Sequence, residues 1–410
     1  MRKHPLLLIG ALAAGASVAM VSTARDSSFA EVMRGRYLVY AGDCAACHTA
    51  DGGAPFAGGR GVPTPFGTIY ATNITPDRTT GIGAWSEDDF WRAMHDGVRR
   101  DGSHLYPAFP YPWFTKLDRD DVLAIKSYLD TLKPVVQANK EPDLPWPLSW
   151  RGSLAAWNGL FFKSGTYAWN TAQSEQWNRG AYLVEGLGHC SACHSPKNFL
   201  GAVKTKDDFE GGSGEGWFAT SLRPTAGEGL GDWSENDIVE YLKTGANNHA
   251  RAMGPMAEVV HNSTMHLNND DLHAMALYLK HLPGDTAHRQ TPSQDRAALD
   301  RGRLVYVDQC SGCHMEGGEG IPGVFPPMKG NSGVHAHDTT SLARLVLEGA
   351  RSAVTPQKPE GFAMPGFASK LTDGEIADLL TYVRASFGNQ ADAVAASNVA
   401  DVRASLQQHP

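Results

Sequence analysis

The chain has no cysteine to spare, no basic excess and, beyond its first two dozen residues, no apolar run long enough to cross a bilayer. Each absence excludes something. Thirty-six Lys and Arg against 44 Asp and Glu give a formal net charge of −8, which removes the positive footprint that binding to nucleic acid requires. An acidic balance of this size bears on solubility and says little about a protein partner. The want of a later apolar stretch leaves only the N-terminus as a membrane or export element.

What the chain does have is one five-residue word written three times. Cys44-Ala45-Ala46-Cys47-His48, Cys190-Ser191-Ala192-Cys193-His194 and Cys310-Ser311-Gly312-Cys313-His314 use every cysteine present. Two thiols about one helical turn apart can each form a thioether with a porphyrin vinyl group, and the next residue then lies under the iron. The pattern predicts three covalently bound haem c groups, attached through Cys44, Cys47, Cys190, Cys193, Cys310 and Cys313, with His48, His194 and His314 as proximal ligands. Zinc usually takes two such pairs per ion, and three well-separated pairs do not divide that way. A disulfide framework would leave the three histidines unexplained.

At the N-terminus, Arg2 and Lys3 lead into an apolar run over residues 6–21 that ends at Ser22-Thr23-Ala24. This is the layout of an export signal, with cleavage expected after Ala24; an uncleaved anchor is the competing reading. Either way the remainder is expected in the periplasm, peripheral to the cytoplasmic membrane, where c-type haems are attached.

Each word sits in a longer repeat. Arg34-Gly35-Arg36-Tyr37, Arg179-Gly180-Ala181-Tyr182 and Arg301-Gly302-Arg303-Leu304 precede the three words and predict short helices delivering the chain to the haem. A glycine inside a helix is a defect unless something must approach closely, so Gly35, Gly180 and Gly302 are expected at helix crossings. The crossing partners are the amphipathic segments over 120–132, 269–282 and 372–387, with apolar residues at helical spacing. Ser86 with Asp89 and Ser234 with Asp237 are capping signatures for a middle helix in the first two repeats. The third repeat lacks that block. Nothing in the pattern argues for a substantial sheet.

The resulting division is a signal peptide over 1–24 and haem units over 25–140, 171–285 and 294–388. Linkers over 141–170 and 286–293 separate them, and a polar tail covers 389–410, as a short helix or disordered. The first linker carries Trp150, Trp157, Leu160, Phe161 and Phe162, readable as packing between units or as an interface or membrane-surface patch. Gly211-Gly212-Ser213-Gly214-Glu215-Gly216 looks like a nucleotide loop only in composition, and a surface loop is expected there.

An electron-transfer haem usually keeps six ligands, and methionine opposite the histidine raises its potential. Met256, in Gly254-Pro255-Met256, and Met364, in Ala363-Met364-Pro365-Gly366, occupy corresponding places before the closing helices, in expected turns; Met253 is a weaker rival to Met256. The first repeat has Phe109 in that place. Met94, on the middle helix, looks like core, and His95 and His104 are the other nearby candidates. The first haem is expected to take His104 or Met94, or to have no strong sixth protein ligand.

Three stretches carry a resemblance: Phe66-Gly67-Thr68-Ile69-Tyr70-Ala71-Thr72-Asn73-Ile74-Thr75-Pro76-Asp77, residues 105–111, and Gly254-Pro255-Met256-Ala257-Glu258-Val259-Val260. In these the chain resembles the triple-haem cytochrome c subunit of membrane-bound periplasmic dehydrogenases, of the alcohol, gluconate, sorbitol and fructose dehydrogenase type. The resemblance implies an all-α chain of three tandem cytochrome c-like domains, each a small helical unit around one haem. It also implies a relay that makes no bonds in substrate, taking electrons from a catalytic subunit with flavin, pyrroloquinoline quinone or molybdenum. Delivery would be to membrane ubiquinone or the respiratory chain. Many relatives have Tyr-Pro-Ala-Met-Pro-Tyr where this chain has Tyr106-Pro107-Ala108-Phe109-Pro110-Tyr111. A multihaem peroxidase using an open first haem, or the cytochrome subunit of a terminal oxidase, are the alternatives.

Overall fold

The structure, a computed structural model, describes residues 27–284 and 290–408. The expected signal peptide and the start of the second linker lie outside those residues. Three crossed helix pairs organise the chain. Phe29–Ala41 crosses Arg119–Leu129, Glu175–Tyr182 crosses Asn269–Lys280, and Arg296–Gln309 crosses Asp373–Ala385. The three glycines stand where the backbones meet. A Cβ added at Gly35 would lie 1.8 Å from the carbonyl oxygen of Ala124, at Gly180 1.9 Å from that of Ala274, and at Gly302 2.1 Å from that of Asp378.

The middle helices begin as their sequences predict. Ser86 caps Glu87–Asp96 and Ser234 caps Glu235–Thr244, each with a reciprocal bond to the Asp three residues on. In the third repeat the corresponding helix, Thr340–Glu348, has no side-chain cap, and the capping box appears instead on the closing helix, between Thr372 and Glu375.

The chain is mostly helical, with a correction to the expected all-α class: three two-stranded antiparallel hairpins are present. They pair Gly61–Thr64 with Gly67–Tyr70, Gly212–Gly214 with Trp217–Ala219, and Gly349–Arg351 with Ala363–Pro365. Each strand is only three or four residues long, too short for period-two patterning to register.

The first two helix pairs share one apolar core, in which Leu38, Ile125, Leu183, Leu187 and Leu272 are nearly inaccessible. Asp271 ties them together, accepting two bonds from Arg179 at 2.7 and 2.8 Å and one from the Tyr37 hydroxyl at 2.6 Å. The third pair has its own core around Tyr306, Leu347, Ile376 and Leu380. The polar tail, as far as residue 408, belongs to it. Helix Ala396–Gln408 buries Val399 and Val402 there, and the buried Arg384 guanidinium donates to the carbonyl oxygens of Val334, Ala336 and Asp392 at 2.6–2.8 Å.

The aromatic linker forms helix Ser153–Phe161 and does two things at once. Trp157 Nε1 donates to the Leu200 carbonyl at 3.1 Å and Asn158 accepts from the Tyr111 hydroxyl at 2.6 Å, so one side packs between units. Trp150 and Leu160 stay exposed at 64% and 73%. Among the described residues no helix is long and apolar enough to cross a membrane.

Candidate haem sites

Each word ends in a short helix, Cys44–His48, Ser191–His194 and Ser311–His314. The three histidines are held alike. His48 Nδ1 donates to the Thr72 carbonyl at 2.6 Å, His194 Nδ1 to the Thr220 carbonyl at 2.7 Å, and His314 Nδ1 to the Pro326 carbonyl at 3.0 Å. A proton fixed on Nδ1 leaves the Nε2 lone pair free for a metal and sets the plane of the ring. Burial lowers all three imidazole pKa values, against the opposing pull of those carbonyls, and so favours the neutral ring that ligation requires.

The hairpins explain the carbonyls. Thr72 and Thr220 each follow a hairpin's second strand, in the block that the first two repeats share. Close packing fixes the second one, because a Cβ at Gly212 would meet the Ser195 carbonyl oxygen at 2.0 Å. The third repeat lacks the block and uses the loop at Pro326 instead.

The cysteines are all unpaired thiols. Burial pushes Cys44, Cys47 and Cys190 up to about 12 and Cys310 up to about 11, which disfavours the thiolate form of the free cysteines. Among the described residues no three His, Cys, Asp or Glu side chains converge as a metal cluster. In the first two words Cys44, His48, Cys190 and His194 lie deep and yet keep an accessible face. Two unpaired thiols and an imidazole whose Nε2 is uncommitted, repeated at each word, are the donor set that a covalently attached haem takes.

Met256 and Met364 are half-buried against the two cores. Neither sits in the turn expected for it. Met256 opens helix Pro255–Asn262, after Gly254 at φ +55°, and Met364 lies in a hairpin strand opposite Ala350. Met253 forms an isolated bridge with Ser352.

The cytochrome c family model matches residues 32–133 and 299–386. The chain is 42% identical to the gluconate 2-dehydrogenase cytochrome c subunit of Pantoea cypripedii, over 91% of this chain and 89% of that protein. It is 41% identical to the alcohol dehydrogenase (quinone) cytochrome c subunit of Gluconobacter oxydans strain 621H, over 93% and 84%. With the fructose dehydrogenase cytochrome subunit of Gluconobacter japonicus the identity is 35%, over 92% and 84%.

The chain belongs to the family of dehydrogenase cytochrome c subunits. Covalent haem c is accordingly its cofactor, and electron transfer alongside a dehydrogenase catalytic subunit its work.

The first repeat has a phenylalanine, Phe109, at the place corresponding to Met256 and Met364. Phe109 packs against the shared core and edge-on to Phe114, with ring centroids 5.5 Å apart. Met94 is core, 5% exposed, as expected. His95 Nδ1 pairs with Asp96 at 2.7 Å while its ring stacks on Trp91. His104 Nδ1 lies 3.3 Å from Asn158 Nδ2. With the Tyr111 hydroxyl bonded to Asn158 Oδ1, the amide nitrogen donates to His104 and leaves the proton on Nε2. In these arrangements Asn158 takes the lone pair of the His104 ring and core side chains enclose Met94.

Sequence reasoning missed the junction of the first two sites. Arg60 Nη1 donates to the Ala46 carbonyl inside the first word at 2.6 Å and to Glu258 at 2.8 Å, two residues beyond Met256. Its Nη2 reaches Glu215 at 3.5 Å. Beside it, Asp43 adopts φ +52° and has one carboxylate oxygen without a partner. Burial, with Glu258 adding repulsion, holds that carboxyl well above the usual range. Trp113 Nε1 donates to Ser191 Oγ at 2.6 Å, a direct bond from the first unit to the second word. No spacing in the sequence signals these long-range partners.

Proposed function

We propose that the chain carries three haem c groups, one per word, and relays electrons from a dehydrogenase catalytic subunit to the membrane quinone pool. The attachment residues are Cys44 with Cys47, Cys190 with Cys193, and Cys310 with Cys313. The iron ligands are His48 alone in the first unit, His194 with Met256 in the second, and His314 with Met364 in the third. The observation that carries this reading is the threefold histidine arrangement, each ring held through Nδ1 by a main-chain carbonyl so that Nε2 is left free for iron.

The haems supply the one-electron chemistry. This chain's residues fix spacing, ligation and burial, which tune the potentials. Three tandem cytochrome c-like domains, over 25–140, 171–285 and 294–388, accommodate one haem each, with the tail helix completing the last. The second unit is the middle carrier: helix Pro255–Asn262 packs on the first word's helix, and the Met253–Ser352 bridge joins it to the third unit. The protein works in the periplasm, peripherally on the cytoplasmic membrane, and the exposed Trp146, Trp150 and Leu160 supply an apolar face suited to that contact. The dehydrogenase relatives give no support to the peroxidase or oxidase alternatives.

The test is copurification from membranes followed by addition of candidate alcohol, aldehyde, sugar and sugar-acid substrates. The expected result is three equivalents of haem by pyridine haemochrome and substrate-dependent haem reduction that a quinone reverses. Fewer than three equivalents, or haems that no dehydrogenase partner reduces, would overturn the reading.

A further inference from the structure

The first two units hold each other through a reciprocal pair of bonds. Tyr37 and Tyr182 stand at the same place in their repeats, two residues after the crossing glycine, on the helices that lead toward the first and second words. Each hydroxyl leaves its own unit. Tyr37 donates to Asp271 at 2.6 Å and Tyr182 donates to Asp121 at 2.7 Å. The two carboxylates are counterparts as well, each three residues past the N-cap of a closing helix, and both are buried, at 7% and 2% exposed. Each also pairs with the arginine of its own repeat, Asp121 with Arg34 at 2.6 Å and Asp271 with Arg179 at 2.7 Å. Each tyrosine oxygen in turn accepts from the N-cap residue of that closing helix, Tyr182 from the Asp118 N–H at 3.1 Å and Tyr37 from the Asn268 N–H at 3.3 Å.

One turn further along the same helices the exchange recurs with different chemistry. Tyr40 stacks on His266 with ring centroids 4.0 Å apart, and at the corresponding positions Glu185 pairs with Lys116. Contacts related two by two in this way are those of an isologous interface, so the units face each other with approximate twofold symmetry. Tyr37 precedes Cys44 by seven residues and Tyr182 precedes Cys190 by eight. The second helix takes up its extra residue in the π turn Leu183–Leu187, which lets Tyr182 keep its partner while the word follows. The third unit is built otherwise. Leu304 stands in the tyrosine's place, 61% exposed, and Glu375, in the carboxylate's, is engaged by Thr372 in the capping box.

We propose that the two tyrosine–aspartate bonds act together as a two-point lock that sets the separation and relative orientation of the first and second haems, which makes Tyr37 and Tyr182 positioning residues for electron transfer between those carriers. The inference rests on the reading that each word carries one haem. A hydrogen bond to an ionised carboxylate is short and directional, so each bond fixes the helix ahead of one word against the closing helix of the other unit. A single bond leaves a pivot about which the units can rock. A second, related to the first by the approximate twofold axis, removes it. The haems are joined covalently to the words that follow these helices, so any rocking of the units becomes a change in haem-to-haem geometry, which is what the protein contributes to electron transfer.

The experiment compares Tyr37→Phe, Tyr182→Phe and the double variant with the parent, all haem-loaded; the rings stay and only the hydroxyls go. Two readouts follow the geometry: circular dichroism in the Soret region, where neighbouring haems couple as paired bands of opposite sign, and the rate of internal electron transfer after pulsed reduction. Difference spectra remove what the third haem contributes to all four proteins alike. Each single variant should change bands and rate slightly, and the double variant should weaken the bands and slow the transfer by more than the two single effects combined. The visible ligation bands should be unchanged. A fall in unfolding midpoint with the parent's bands and rate would show that the bonds only hold the core and would overturn the proposal, as would a double variant no worse than the sum of the singles. Mass spectrometry finding the first or second word of the parent without haem would instead remove the one-haem-per-word reading, and the lock's role with it.

Discussion

Replacing Gly180 by Ala tests the helix crossing on which the second site is built. The added methyl carbon would stand 1.9 Å from the Ala274 carbonyl oxygen, 2.5 Å from its carbon and 2.9 Å from Tyr278 Cβ. Real Cβ contacts essentially never fall below 3.0 Å, so the two helices must part by more than an ångström. The obstacle is backbone, which cannot swing aside as a flexible side chain would. Overpacking of this kind costs about 3 kcal/mol, at the upper end of its usual range. The gain in helix propensity on removing a glycine returns up to ~1 kcal/mol, leaving a net loss of roughly 2 kcal/mol.

A control with the opposite sign is built into the same chain. Gly159, in helix Ser153–Phe161, has nothing within 4 Å of where a Cβ would stand and no positive φ, so Gly159→Ala is expected to stabilise by up to ~1 kcal/mol. Denaturant unfolding of the loaded protein, followed by circular dichroism and by haem absorption, reads both. Gly180→Ala should lower the midpoint and release the second haem's methionine ligation early, while Gly159→Ala should hold or raise it. Equal effects of the two substitutions would refute the close-crossing argument, because helix propensity would then account for everything.

Phe109→Met should supply the missing sulfur in the first unit. The expected outcome is an additional sulfur-to-iron band, a higher potential for that haem, and loss of the imidazole binding that an open iron shows in the unmodified protein; failure of the unmodified protein to bind imidazole would refute the open site. Ser234→Ala removes a capping-box partner from Glu235–Thr244 and should cost about 1 kcal/mol in thermal or denaturant unfolding. Asp77 is held down at about 2, first by the Thr80 backbone N–H and then by the Thr79 and Thr80 hydroxyls. A carboxylate depressed on folding contributes stability above its unfolded value near 3.8 and loses it as pH falls toward 2. Stability curves of the parent and Asp77→Asn should therefore diverge above pH 4 and converge below it.

The three words could be read without a structure because covalent attachment demands a fixed spacing, and no cysteine was left for another use. The crossing glycines were legible for a related reason. A helix tolerates Gly35, Gly180 and Gly302 only where a second backbone occupies the space a Cβ would fill. Caps such as Ser86 with Asp89 are local, and local chemistry reads directly from sequence. The hairpins were not legible, since Gly212–Gly214 is defined by its packing on Ser195 rather than by any alternation of its own. The tail stayed open between a short helix and disorder because its apolar positions are few, Val399 and Val402 being buried by a core that the tail's composition does not announce. Arg60 is the extreme case: its partners Ala46, Glu215 and Glu258 are separated from it by 14, 155 and 198 residues.

On the proposed three-haem reading, that same distance pattern gives a reason for the units to share one polypeptide. A carrier that must hand electrons to a neighbour gains from fixed spacing, and small separate domains would have to find it by collision. Here the first two units share a continuous core, and contacts between them fall at the words themselves, through Arg60, which bonds both Ala46 of the first word and Glu258 of the second unit, and through Trp113 to Ser191. The second and third units meet differently, through a small cluster of alanines and Val260 and through hydrogen bonds such as Ser341 with Phe218. A small alanine-lined contact buries much less apolar area than a shared core, so it contributes less to holding its two sides together. The third unit is therefore the one whose separation from the rest should cost least. Limited proteolysis is expected to cut first near the second linker and to release the third haem while the first two stay joined.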